Sequence, residues 1–264
     1  GALAPADPNV DGVVELMLDA TQNHAKPISA TRLFGWHAAL FPTGYGGMHK
    51  LLVGQWRDDA KGPMQVVSGG FGKERVHFEA PAAHRLKKET AAFLEWFERK
   101  NDLDAVLKAG VAHLWFVTLH PFDDGNGRIA RAIADLTLAR SEQSPQRFYS
   151  LSAQIRLERK AYYDLLERTQ KGGLDVTPWL EWVLECLGRA IDCAEATLGD
   201  VLRKARFWQT HGTEPFNDRQ RLLLNRLLDG FEGKLTSSKW AKLAKCSQDT
   251  ALRNLLELVD RGIL

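Results

Sequence analysis

The 264-residue sequence predicts a mainly α-helical protein with one small β-hairpin. Most of the chain carries apolar residues three and four positions apart, the spacing that gives a helix one buried face. The stretch from 41 to 72 is the exception, because it is too rich in glycine for a long helix. Two short β-prone runs lie at its end and just beyond it, so we expect strands there.

Apolar spacing and capping residues predict seven helices in the first 208 residues. The first two cover about 10–18 and 33–41, the third opens at Pro81, and the fourth runs over 103–116. The fifth ends near Arg140, and the last two cover 157–169 and 177–208, the latter with Thr177 as its N-cap.

The two β-prone runs are Met64–Ser68 and Arg75–Phe78, joined by a glycine-rich turn at Gly69–Gly72. This pattern predicts a hairpin over about 64–78. A lone hairpin either covers the edge of the core or serves a binding site, and the residues alone leave both interpretations open.

The chain changes character after residue 208. Asn217, Thr236 and Ser247 each stand where a short helix would begin, which suggests a helix-turn-helix in a second domain over 209–264. That segment holds nine Lys/Arg against seven Asp/Glu, a weak charge balance for binding DNA phosphates. A protein-interaction or homodimerisation role is the favoured alternative.

Composition indicates a soluble cytoplasmic protein. The hydrophobic content is 44%, the formal charge is +2, and no apolar run is long enough to span a membrane. Cys186 and Cys193 lie two helical turns apart, too far for a disulfide, so reduced thiols are expected. The first residues resemble an internal loop, and we expect a truncated chain.

Residues 120–131, His-Pro-Phe-Asp-Asp-Gly-Asn-Gly-Arg-Ile-Ala-Arg, combine a base, a carboxylate, a glycine turn and two guanidinium groups. The turn precedes a helical sequence, so its amides lie at a helix N-terminus, where phosphate is favoured. Asp124 could hold Mg²⁺ against a nucleoside triphosphate. No phosphate cradle needs His120, but a transferase needs a general base.

This run resembles the Fic signature, His-x-Phe-x-Asp/Glu-Gly-Asn-Gly-Arg-x-x-Arg, at all eight specified positions. The resemblance implies a helical Fic core over 1–208, with transfer of AMP from ATP to a protein hydroxyl and release of pyrophosphate. It assigns proton abstraction to His120, Mg²⁺ to Asp124, loop anchoring to Phe122, and phosphate binding to the motif turn and its arginines: Gly125, Asn126, Gly127, Arg128 and Arg131.

The same resemblance makes the hairpin a flap over the nucleotide, where a target protein segment adds as a further strand. It places Val66, Val67, Ser68 and Gly69 beside the nucleotide, and Tyr162 and Gln170 near the adenine. The tail resembles the winged-helix domain of longer bacterial Fic proteins, with the wing missing. Binding of DNA by this tail stays open, and no membrane partner is expected.

Many Fic proteins silence themselves with a glutamate that pairs with the second motif arginine. The sequence contains no match to that inhibitory helix, and the resemblance places it upstream of Gly1. We therefore expect a deregulated core in which Arg131 has no glutamate partner from within the chain.

Three alternatives to AMP transfer remain. They are removal of AMP from a modified protein, transfer of another phosphate-linked group, and a DNA-binding or adaptor protein on a degenerate Fic scaffold. The intact motif favours an enzyme, because His120, Asp124 and Arg131 are costly to place together and packing needs none of them.

Overall fold

The computed structural model describes residues 8–70, 72–100 and 102–264. Residues 1–7 of the predicted first domain and Phe71 in the predicted turn lie outside the described residues. The chain divides into two compact units, 1–191 and 192–264, and the division falls inside one long helix. The domain limits drawn from the sequence stay a prediction.

The described part of the chain is mainly α-helical, which confirms the predicted fold class. Its elements are, in order, α1 (Pro8–Gln22), α2 (Ala30–Leu40), β1 (Tyr45–Gly46), β2 (His49–Lys50), β3 (Gln65–Ser68), β4 (Arg75–Glu79), α3 (Ala83–Glu98), α4 (Ala105–Leu119), α5 (Asn126–Glu142), α6 (Leu151–Leu157), α7 (Arg159–Lys171), α8 (Thr177–His211), α9 (Asp218–Leu228), α10 (Ser237–Ala244) and α11 (Gln248–Asp260).

The core of the first unit is centred on α4 and α5, which pack against each other and carry most of their side chains inward. Eight residues of α4 and eleven of α5 are buried, so these helices have no wide polar face. Aromatic rings from neighbouring elements fill the space around them, and the largest fully buried ones are Phe93, Phe97, Phe116, Phe122 and Trp179.

The predicted hairpin forms: β3 and β4 pair antiparallel from Gln65↔Glu79 to Ser68↔Arg75. A second, two-residue hairpin, β1 and β2, lies in the glycine-rich stretch and was not predicted, because two-residue strands carry no alternation to detect.

Two helix boundaries differ from those predicted. The segment 157–169 is the larger part of α7, and a separate helix, α6, precedes it because the Ser150 side chain accepts a hydrogen bond from the Ala153 amide. Thr177 is the first residue of α8 rather than its cap. The Asp175 carboxylate accepts the Thr177 amide at 2.9 Å and stabilises that helix start instead.

In the second unit, α9, α10 and α11 begin after the residues expected from the sequence. Asn217 forms a capping box with Gln220, and Thr236 and Ser247 each accept a backbone amide from the first turn. The three helices enclose a small core of Leu223, Leu224, Trp240, Ala251 and Leu258.

Cys186 and Cys193 are free, as their spacing predicts, and Cys246 is free as well. Among the described residues, none of the helices combines the length and the apolar character needed to cross a membrane.

Candidate active site

His120 is the residue at which α4 ends. It adopts a left-handed conformation, with φ 47° and ψ 55°, and its amide still donates to the Phe116 carbonyl at 3.1 Å. A bulky residue with positive φ is unusual and stores strain, which the surrounding fold must hold. The chain reverses here, so α4 delivers the imidazole to the start of the motif loop.

The protonation state of His120 suits a general base. Its Nδ1 lies 3.2 Å from the Val117 carbonyl oxygen, an acceptor, so Nδ1 carries the hydrogen and Nε2 keeps its lone pair. Burial lowers the pKa of His120 to about 4, opposed by the Val117 hydrogen bond and assisted by the nearby Arg57 cation. The imidazole is therefore neutral at pH 7.

Arg57, in the glycine-rich stretch, holds the start of the motif loop, a role that the sequence did not predict. Its Nε donates to the His120 carbonyl at 2.8 Å, and its Nη2 donates to the Pro81 carbonyl at 2.5 Å. Its Nη1 pairs with Asp59 at 2.8 Å, and its side chain is fully buried. An arginine in a polar, glycine-rich segment gives no sequence signal of burial, so only the fold reveals this contact.

Phe122 and Asn126 close the motif loop on itself. Asn126 accepts from the Phe122 amide at 3.0 Å and donates to the Phe122 carbonyl at 2.8 Å. The Phe122 ring is fully buried and stacks on His37, with centroids 4.3 Å apart. Phe122 is thus the loop anchor that the resemblance implies. The Asn126 side chain holds the loop, and the Asn126 backbone N–H lies at the start of α5.

The turn places free backbone amides at the start of α5. Gly125 has φ 82°, a conformation that favours glycine, and the first backbone bond of the helix runs from the Ile129 amide to the Gly125 carbonyl. The amides of residues 126–128 therefore have no helical acceptor and can bind an anion. Unlike Gly125, Gly127 is already helical and has no positive φ.

The two motif arginines occupy different surroundings. Arg131 lies across the first turn of α5, and its Nη1 is 3.6 Å from where a Cβ on Gly127 would be. Arg128 lies 4.8 Å over the Phe41 ring, with its Nη2 3.6 Å from an Asp124 carboxylate oxygen. Within the part of the chain that the structure describes, no carboxylate lies in ion-pair distance of Arg131.

A cavity of about 750 Å³ lies between the flap hairpin, α7 and the start of α5. Eight of the thirteen site residues predicted from the sequence line it: Val66, Val67, Ser68, His120, Gly127, Arg131, Tyr162 and Gln170. Arg128 and Arg131 line a neighbouring cavity of about 430 Å³ beside α1. Asp124, Gly125, Asn126 and Gly69 line neither of these two cavities.

Tyr162 forms the floor of the larger cavity. Its ring is buried, and its hydroxyl lies 3.0 Å from Nε2 of His113 in the core behind it. Burial raises the pKa of Tyr162 and lowers the pKa of His113 to about 3, so this pair is neutral. Gln170 donates to the Thr118 hydroxyl at 3.2 Å, which leaves its amide oxygen for a ligand.

Asp124 fits a role as a Mg²⁺ ligand. Its side chain is 55% exposed, and among the described residues only Arg128 lies in ion-pair distance, at 3.6 Å, so oxygen lone pairs remain available. Mg²⁺ is commonly held by one or two carboxylates together with substrate phosphates rather than by a full protein cage. Asp124 is an exposed carboxylate beside the free amides of α5, which is the ligand type that such a site requires.

The family model for the Fic/DOC family matches residues 27–138, which include the motif loop and the flap. The chain is similar to proteins named protein adenylyltransferase Fic. The one from Nematostella vectensis is 34% identical over 115 residues, 42% of this chain and 25% of the relative. The one from Drosophila grimshawi is 30% identical over 137 residues, 50% of this chain and 27% of the relative. This chain therefore spans about a quarter of these curated relatives.

Solved structures share the fold. A Fic family protein from Desulfovibrio desulfuricans G20 aligns with 99% of this chain and 71% of its own, at TM-score 0.56 and 22% identity. Fic-1 from C. elegans aligns with 75% of this chain and 55% of its own, at TM-score 0.54 and 20% identity. These structures support the fold, and the match to the family model identifies residues 27–138 as a domain of the Fic/DOC family.

Proposed function

We propose that this chain transfers AMP from ATP to a hydroxyl side chain of a target protein and releases pyrophosphate. The observation that carries the proposal is the neutral His120, with Nε2 free, in one cavity with the Arg131 guanidinium and the start of α5. The names of the similar proteins support the same reaction.

Each group then has a defined task. His120 takes the proton of the incoming hydroxyl as its oxygen attacks the α-phosphorus. The amides of residues 126–128 and the Arg131 guanidinium neutralise the phosphate oxygens. Asp124 would hold Mg²⁺, and a bound Mg²⁺ would supply positive charge against the pyrophosphate leaving group. Val66, Val67, Ser68 and Gly69 of the flap, with Tyr162 and Gln170, enclose the nucleoside.

The target protein docks on the flap. The sheet of β3 and β4 has only two strands, so each strand has an unpaired edge with free amides and carbonyls. An extended target segment can add there by backbone hydrogen bonds, which bring its hydroxyl to the cavity that His120 lines.

Two labels on ATP test the reaction class. The chain is incubated with Mg²⁺, a lysate and ATP labelled at either the α- or the γ-phosphate, beside a His120→Ala control. We expect the chain to add α-label, and no γ-label, to lysate proteins beyond the labelling by the lysate alone, and this α-label to fall by a factor of about 10²–10⁴ in the control, since a general base contributes that much. γ-Label that the wild-type chain adds and the control does not would indicate phosphate transfer instead, and equal α-label in the control would refute the role of His120.

A further inference from the structure

Three side chains beside the cavity form a hydrogen-bonded relay that has no acid–base task in the proposed reaction. Oγ of Ser68 on β3 lies 2.5 Å from Nε2 of His77 on β4. Nδ1 of the same imidazole lies 2.6 Å from Oε2 of Glu167 on α7. A hydroxyl, an imidazole and a carboxylate in this order are the arrangement that activates a serine nucleophile.

The hairpin register brings His77 into the relay. Val66 pairs with Phe78 and Val67 pairs with Val76, so His77 is an extra residue in β4 with no partner across the hairpin. Bulges of this kind are frequent next to active sites, where they redirect a side chain. Here the imidazole reaches Ser68 on one side and α7 on the other.

Charge fixes the direction of the relay. Hydrogen bonds from Lys171, His77 and Arg75 lower the pKa of Glu167 to about 2, so its carboxylate is ionised and accepts the Nδ1 hydrogen of His77. With Nδ1 donating to Glu167, Nε2 is the ring nitrogen that faces the Ser68 hydroxyl and can take its hydrogen. Ser68 is therefore hydrogen-bonded to its own base.

Ser68 is exposed, and it lines the same cavity as His120, Gly127 and Arg131. A hydroxyl so placed adjoins the site where the proposed function puts the nucleotide. The flap thus carries a potential acceptor within the chain itself.

We propose that Ser68 is a self-modification site that accepts AMP with His77 as its base; this rests on the proposed function. The Ser68 oxygen forms a bond to the α-phosphorus of ATP, and the bond from that phosphorus to the oxygen bridging to the β-phosphate breaks. Pyrophosphate leaves, and the serine proton moves to Nε2 of His77. Glu167 is a positioning residue that orients the imidazole.

The sequence allows modification of Ser68 to be detected in a single tryptic fragment. Trypsin releases Gly62–Lys73, in which Ser68 is the only residue with a hydroxyl group. The purified chain is incubated with ATP, Mg²⁺ and a lysate, and mass spectrometry then measures AMP on this fragment and on lysate proteins from the same tube. We expect the fragment to carry AMP.

His77→Gln tests the base, and Arg75→Gln is its matched control. Arg75 also ties the flap to Glu167, at 3.0 Å, but lies outside the relay. We expect His77→Gln to lower AMP on the fragment by about 10²-fold, the effect of a general base, and Arg75→Gln to change it little. An equal loss in both variants would show that these residues only hold the flap against α7, and this result would overturn the proposal. Unchanged modification in His77→Gln would overturn it as well.

AMP on lysate proteins with none on the fragment would overturn the self-modification and leave the proposed function standing. AMP on neither would overturn both.

Discussion

The chemistry of the site depends first on a single imidazole, that of His120, held in a left-handed conformation at the end of a buried helix. Its tautomer is set by the Val117 carbonyl and its neutrality by burial. The strain is sustained by contacts on both sides of it, namely the Arg57 guanidinium and the buried Phe122 ring.

The lowered pKa of His120 predicts the pH dependence of transfer. The folded imidazole takes its proton only near pH 4, whereas an unperturbed histidine does so at about 6.5. We expect the single-turnover rate on a fixed target to stay level through about pH 6 and to fall with an apparent pKa near 4. An acid limb at about 6.5 would contradict the burial of this base.

The same shift affects stability with a definite sign. Below about pH 6.5 the unfolded chain binds a proton at this position that the folded chain does not bind until about pH 4. His120 therefore destabilises the fold as pH falls across that interval. Urea unfolding at a series of pH values should show a smaller decline for His120→Gln than for the wild-type chain.

Arg57 is predicted to act through His120 rather than on substrate. Arg57→Lys keeps the charge but cannot reach the His120 and Pro81 carbonyls together, so a buried acceptor is left unsatisfied at a cost of about 1–3 kcal/mol. We expect a lower free energy of unfolding and a lower kcat, with ATP affinity nearly unchanged. A rise in ATP Kd without loss of kcat would place Arg57 on the nucleotide instead.

At the scale of elements, the start of α5 supplies both the turn and the phosphate cradle. Substituting Gly125 tests the turn, and substituting Gly127 tests the cradle. Gly125→Ala requires positive φ and puts a Cβ 3.0 Å from Cε2 of Phe41, so we expect destabilisation of about 1–2 kcal/mol. Gly127→Ala meets no atom closer than 3.6 Å and should fold normally.

Gly127→Ala, the more stable of the two variants, should be the one that binds ATP more weakly. A methyl group on Gly127 enters the amide cradle beside Arg131, so calorimetric titration should show weakened ATP binding in Gly127→Ala despite its normal unfolding curve. Normal ATP affinity in a folded Gly127→Ala protein would show that the phosphates do not bind at this helix start.

The elements also show why part of the site could be predicted from the sequence. The residues from His120 to Arg131 are consecutive, so their loop and helix start follow from local chemistry. Arg57 and Glu167 reach the site from far along the chain, 63 residues from His120 and 90 from His77. Only tertiary packing brings them there, and neither residue type signals burial or partnership.

The hairpin illustrates the same limit. Its strands and turn followed from β-branched residues around glycines, but the bulge at His77 did not, because register is set by pairing rather than by composition. The relay from Ser68 to Glu167 depends on that bulge and so became visible only in the folded chain.

At the scale of the whole molecule, the two cavities lined by the motif arginines and the thirteen predicted site residues belong to the first unit. The second unit has its own small core, and residues 209–264 carry nearly balanced charge. It therefore offers little electrostatic attraction to a nucleic acid backbone. We therefore assign the proposed AMP transfer to the first unit.

The most direct test of that claim is the ratio of pyrophosphate released to AMP bound to protein, measured with lysate and ATP for the wild-type chain and for His120→Ala. We expect the wild-type chain to release one pyrophosphate, above the release by the lysate alone, for each AMP that becomes bound to protein, and we expect target modification to be lost in the variant. Pyrophosphate or phosphate release without protein-bound AMP, or an unchanged yield in His120→Ala, would contradict it.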